Sequence, residues 1–180
     1  MLLELIIKTI YFMLPAYFAN MAPVLVKDYF KFLAIPLDFN KKINNKPILG
    51  AHKTLRGLIF GIIAGIIIAF IQSLLYKYNF FTNISLIDYS NWLLIGFLMS
   101  FGALVGDSVK SFFKRIIDIK PGKKWIPFDQ LDYTIGALVF VFFVYIPPAS
   151  MVGTALILSF ILHIIANHLA YYLGIRKVKW

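Results

Sequence analysis

The chain has 180 residues, is 61% hydrophobic and only 14% charged, and carries a net charge of +10. Its mean hydropathy is +0.81, whereas soluble domains have about 25% charged residues, so a soluble globular domain is excluded. Cysteine is absent, which removes disulfides, thiolate metal sites and cysteine nucleophiles.

The first charge is Glu4, and Lys8 is the sole cation before the first loop. A cleaved signal needs a basic start and a small-residue cleavage site, so the first helix reads as a retained span. It lies in the uncharged run 9–26, of 18 residues, and holds Pro15, Asn20 and Pro23. A basic loop follows. It ends in Gly50-Ala51-His52-Lys53-Thr54-Leu55-Arg56-Gly57, which runs straight into the next apolar segment. This is not a phosphate loop of the Walker type, since His52 and Pro47 stand where that motif needs glycines. A hydroxyl, two cations and the N–H groups of a helix start can still cradle a phosphate. A basic cluster that only sets topology accounts for the same residues.

The second uncharged run, 57–76, has 20 residues with Gly57, Gly61 and Gly65 at four-residue spacing. That stripe predicts close helix packing and no chemistry. A polar and aromatic connection, 77–88, leads to the third run, 89–106, of 18 residues. The third helix is expected to continue beyond the apolar run. At 100° per residue Asp107, Ser111, Lys114 and Asp118 fall within about 60° of one another, flanked by Lys110 and Arg115. Val109, Phe112, Phe113, Ile116 and Ile117 face the other way. The pattern predicts an amphipathic extension that Pro121-Gly122 ends, and a fourth helix starting near Asp129. The last run, 133–175, has 43 residues with Pro147-Pro148 near its middle. That is long enough for two spans with a hairpin at the prolines. His163 and His168 in the last helix lie about 140° apart around its axis, so they read as interior histidines, not as a paired ligand motif.

The result is an all-α membrane protein of five transmembrane helices in one domain, residues 1–180. Of the 18 lysines and arginines, 16 fall in 27–56, 110–124 and the tail after 175. The positive-inside rule makes that side cytoplasmic, with the N-terminus outside and the C-terminus inside. No nucleic-acid-binding motif accompanies the charge.

The segment 106–132 holds four of the eight carboxylates. Asp129 and Asp132, three apart at a helix start, can share a divalent ion or simply cap and charge the helix N-terminus. Asp107, directly after an apolar run, is costly unless it has a partner. Three aspartates at one membrane face point to a hard cation, Mg²⁺ above all. Lys114 and Arg115 can be ordinary interfacial cations, but their place beside Asp107 and Ser111 points to an anion such as phosphate.

These residues resemble the membrane cytidylyltransferases that make CDP-activated lipids. The shared pattern, S-x-x-K-R and then P and D-x-x-D, is Ser111-Phe112-Phe113-Lys114-Arg115, Pro127 and Asp129-Gln130-Leu131-Asp132. The bacterial CDP-diacylglycerol synthases add His-Gly-Gly after the proline and carry Arg inside D-x-x-D, and both are missing. The archaeal branch, the CDP-archaeol synthases, fits more closely. Its G-D-x-x-K-S-x-x-K-R is Gly106-Asp107-Ser108-Val109-Lys110-Ser111-Phe112-Phe113-Lys114-Arg115. Its W-x-x-x-D-Q-L-D is Trp125-Ile126-Pro127-Phe128-Asp129-Gln130-Leu131-Asp132. The family's Asn20-Met21-Ala22-Pro23 and the Gly50–Gly57 pattern also match, while Ile117 departs from a position that is often basic.

The resemblance implies transfer of CMP from CTP to the phosphate of 2,3-bis-O-geranylgeranylglycerol 1-phosphate, giving a CDP-lipid and pyrophosphate. It implies Mg²⁺ on Asp107, Asp129 and Asp132, with Lys114 among the catalytic groups. CTP would be held by Asn20, Pro23, Lys53, Thr54, Arg56, Lys110, Ser111 and Arg115. Its site would face the cytoplasm of the cell membrane, and a homodimer stays open. An ester phosphatidic acid as substrate is one alternative, and an ion-coupled transporter is another. The repeated halves common in transporters are absent, as is the acidic motif of the CDP-alcohol phosphotransferases.

Overall fold

The computed structural model describes residues 2–43, 46–119 and 123–174. Five helices carry the fold: α1 (Leu2–Leu25), α2 (Leu55–Lys77), α3 (Trp92–Ile116), α4 (Phe128–Val141) and α5 (Ala149–Tyr172). A short hairpin of two two-residue strands, β1 (Lys42–Ile43) and β2 (Lys46–Pro47), sits in the basic loop before α2. Among the described residues α1, α2, α3 and α5 are long and apolar enough to cross a membrane. Large apolar side chains such as Ile63, Ile67, Phe97, Val139 and Ile157 are exposed on the outer surface, as expected where the solvent is lipid.

Helices α1 to α4 pack antiparallel in succession, as the contacts of Gly57, Gly61, Gly65, Gly102 and Gly106 show, and α3 is central, packing on α1, α2 and α4. Small residues allow the approach. A Cβ on Gly61 would stand 2.9 Å from the Ala19 carbonyl oxygen of α1, and one on Gly136 of α4 would overlap the Gly102 carbonyl of α3. The glycine stripe of α2 therefore packs, as its spacing predicts. Phe12, Met13, Met99, Tyr133, Val141 and Met151 fill the centre.

Helix α1 runs unbroken through both prolines. Pro15 has no N–H to give the Tyr11 carbonyl one turn earlier. Gln72 of α2 supplies the missing donor, its Nε2 donating to Tyr11 O at 2.5 Å. An unpaired carbonyl at this depth would be expensive, so the exchange locks α1 to α2.

Two boundaries differ from expectation. Helix α3 stops at Ile116, and Asp118 is not on its polar stripe. Asp118 adopts φ 62°, with its N–H donating to Arg115 O at 3.4 Å and Ile119 N–H to Lys114 O at 2.9 Å. That is a Schellman ending, which satisfies the last carbonyls without glycine. Asp118 turns away to pair with Lys46 at 2.7 Å. Pro121-Gly122 lies outside the described residues. Helix α4 has 14 residues, about 21 Å, shorter than the roughly 30 Å hydrocarbon layer. The hairpin is present, but α4 ends at Val141, ahead of the proline pair, and Pro148 is the N-cap of α5.

Candidate active site

Three elements meet at one end of the bundle: the loop into α2, the last turns of α3 and the first turn of α4. The loop is held first by its backbone. Leu37 N–H donates to Lys53 O and Leu55 N–H to Ile35 O, both at 2.8 Å. Buried Asp38 accepts the N–H groups of Leu49 at 2.9 Å, Gly50 at 3.1 Å and Asn40 at 3.0 Å. Burial alone pushes the Asp38 carboxyl up, but these donors outweigh it and hold the group below the usual carboxylate range. Thr54 is the N-cap of α2, its Oγ1 accepting Gly57 N–H at 3.2 Å. Asp38 was missed by sequence reading, because a lone acid in an irregular loop has no periodic signal.

This scaffold delivers Lys53 to Asp107, with which it forms a tight ion pair. Lys110, one turn further along α3, is the hub. Its Nζ lies 3.1 Å from Asp107, 3.1 Å from Asp129 and 3.0 Å from Asp132. Lys114 grips both oxygens of Asp129 at 2.9 and 3.0 Å and donates to Lys123 O at 2.6 Å. Asp129 also accepts Trp125 N–H at 2.6 Å. Asp129 therefore reaches back to the preceding loop, and the α4 N-cap is Pro127. The capping alternative for Asp129 does not hold. Gly106 sits against the Asp132 carbonyl, where a Cβ would clash. That contact sets how closely Asp107 and Asp132 approach.

Three aspartates face three lysines, and the charges balance. The donor chemistry suits a hard divalent cation: every ligand is a carboxylate oxygen, and all three point at one cation, which here is the Lys110 ammonium. Among the described residues no three acidic or histidine side chains are already spaced as a metal shell. The oxygens are spread around an ammonium instead.

The structure places the remaining site residues as follows. Pro23, Thr54 and Lys53 join Asp107, His52 and Gly57 around a cleft of about 40 Å³. Asn20 is half-buried one turn before Pro23 and does not line that cleft. Buried Ser111 donates to the Asp107 carbonyl at 2.8 Å. Arg56 is buried, its Nη1 donating to Tyr29 O at 2.7 Å, so it braces the turn after α1 and stands outside the ion cluster. The Nε atoms of Arg56 and Arg115 are buried without a hydrogen-bond partner. A larger hollow of about 640 Å³ lies around Trp92 and Phe97 near the start of α3, but no ionisable group lines it. His163 and His168 are half-buried, not interior. The His163 ring centroid is 6.3 Å from that of Tyr133, and His168 Nδ1 is 2.8 Å from Ile164 O.

The family model for CarS-like CDP-archaeol synthase matches residues 2–180. The chain belongs to the CDP-archaeol synthase family. A CDP-archaeol synthase of Methanocaldococcus jannaschii is 34% identical over all of both chains. One of Methanococcus vannielii is 39% identical over 99% of each. A solved structure described as "an intramembrane enzyme for archaeal membrane lipids biosynthesis" superposes with a TM-score of 0.73 at 28% identity, over 88% of this chain and 91% of that one. Within the CDP-archaeol synthase family, then, this chain is a multi-pass membrane enzyme whose motif residues from three separated segments meet at one end of the bundle.

Proposed function

We propose that the protein transfers CMP from CTP to the phosphate of an unsaturated archaeal ether lipid, 2,3-bis-O-geranylgeranylglycerol 1-phosphate. A lipid phosphate oxygen bonds to the α-phosphorus of CTP, the bond from that phosphorus to the bridging oxygen breaks, and pyrophosphate leaves. The observation that carries this reading is the convergence of Lys53, Lys110 and Lys114 with Asp107, Asp129 and Asp132, in a chain of this family.

The nucleophile is already an anion, so no strong general base is needed. The task is to hold two phosphates in line and to stabilise charge on the departing pyrophosphate. Lys53, from a backbone-pinned loop, approaches from one side of the cleft. Lys110 and Lys114, one turn apart on α3, approach from the other. Thr54 keeps its O–H free to donate while its oxygen caps α2, and Arg115, whose Nε lacks a protein partner, adds a phosphate fork. Ser111 and Arg56 hold backbone in place around these groups, and Pro23 lines the nucleotide side, with Asn20 one turn earlier on α1. Asp107, Asp129 and Asp132 would hold Mg²⁺, which when bound supplies neutralisation of phosphate charge and a template for the in-line geometry. The α4 helix with residues 142–148 makes the fifth crossing. The basic end faces the cytoplasm, where CTP is.

Purified protein with Mg²⁺, the ether lipid phosphate and CTP labelled at its α-phosphate is expected to give a labelled CDP-lipid and unlabelled pyrophosphate. Turnover on ester phosphatidic acid alone would replace the lipid assignment, and no product with any lipid phosphate would overturn the synthase reading.

A further inference from the structure

We infer that Lys110 is a placeholder cation, which holds the three carboxylates together until nucleotide arrives and then moves onto the phosphates as the divalent ion takes the centre. Metal binding is thereby made dependent on nucleotide. The inference rests on the proposed role of Asp107, Asp129 and Asp132 as metal ligands.

The geometry points to one position that two cations cannot share. Lys110 Nζ touches all three carboxylates at 3.0–3.1 Å. Mg²⁺ binds oxygen at about 2.0–2.1 Å, so the same oxygens would have to close inward on a point the ammonium now occupies. The partners are not equivalent once Lys110 leaves. Asp107 keeps Lys53, and Asp129 keeps Lys114 and the Trp125 N–H. Asp132, with its side chain only 6% exposed, has Lys110 as its sole cation among the described ion pairs. A bare withdrawal would therefore leave a nearly buried carboxylate with no cation and only the Tyr133 N–H, 2.7 Å from its Oδ1, which is strongly unfavourable. It would also strand the Lys110 ammonium, whose side chain is 15% exposed. A metal can replace the charge on Asp132, and a triphosphate can receive the ammonium. Either alone leaves one charge without a partner, so the two must enter together. A lysine suits the exchange, having a flexible four-carbon stem and three donors that need no fixed plane.

Equilibrium dialysis of radioactive Mn²⁺ against the detergent-solubilised protein, with and without CTP and with no lipid present, tests this directly. Wild type is expected to bind Mn²⁺ at least tenfold more tightly with CTP, beyond what CTP binds in a protein-free control. Lys110→Gln is expected to bind Mn²⁺ at least tenfold more tightly than wild type when CTP is absent. Lys110→Arg, which keeps the charge, should show no such gain. Equal Mn²⁺ affinity of wild type with and without CTP overturns the inference, and needs no variant to fold. So does unchanged CTP-free binding in a folded Lys110→Gln. Asp132→Asn separates the two layers. If it leaves CTP-dependent Mn²⁺ binding intact, the metal-ligand reading itself falls. If it abolishes that binding while Lys110→Gln changes nothing, only the placeholder role falls.

Discussion

At the scale of single residues, the site is a balance of charge in which each group has a traceable reason for its place. Asp107, Asp129 and Asp132 were legible as a set, because carboxylates at a membrane edge need a partner. Their partner was not legible. Helical phasing puts Lys110 beside the polar stripe, but only the α3–α4 crossing shows that one ammonium reaches all three acids. Asp38 belongs to the same scale. It accepts three backbone N–H groups and shapes the loop that carries Lys53. Asp38→Ala strands those donors, each worth about 1–3 kcal/mol if buried and unpaired. The expected outcome is a lower melting temperature and a raised KM for CTP. The depressed Asp38 carboxyl also gives a sign for pH. Its stabilising effect is complete above the ordinary carboxylate range near pH 4 and is lost as pH falls through its lower folded value. Acid unfolding of Asp38→Asn should therefore start from a less stable protein and depend less steeply on pH over that window.

At the scale of elements, periodicity identified the helices and left their ends uncertain. The α3 polar stripe predicted a helix as far as Pro121. The chain leaves the helix earlier because Asp118 adopts a left-handed turn and pairs with Lys46, a long-range contact no local pattern encodes. The proline pair correctly divided the last apolar run, yet α4 proved short. Its value lies in close contact with α3: Gly102, Gly106 and Gly136 bring the two backbones together and so set the spacing of the aspartates. Gly136→Ala should push the helices apart, at a cost of about 1–3 kcal/mol, and lower both melting temperature and turnover. A Cβ on Gly153 of α5 meets nothing within 4 Å. Gly153→Ala should leave both properties unchanged or slightly raise stability. Thermal unfolding of the two variants side by side checks whether the effect follows the crossing or the residue type.

At the scale of the whole molecule, charge asymmetry and the bundle point the same way. The loop into α2 and the end of α3 are separate basic segments in the sequence, the start of α4 supplies two aspartates, and the fold gathers all three at one end. Side assignment can be tested without background, since the chain has no cysteine. In sealed, right-side-out vesicles a membrane-impermeant thiol reagent should label Asn83→Cys and spare Lys42→Cys until the membrane is opened. The reverse pattern would invert the orientation. The central claim is that the lysine–carboxylate cluster is where CMP is transferred. Its most direct test is CDP-lipid formation by purified Asp129→Asn and Asp132→Asn, each shown by thermal unfolding to be folded. An amide is a poor ligand for a hard cation and a poor partner for Lys110 and Lys114. Turnover is expected to fall at least about 100-fold in each variant, and near wild-type turnover in both folded variants would contradict the claim.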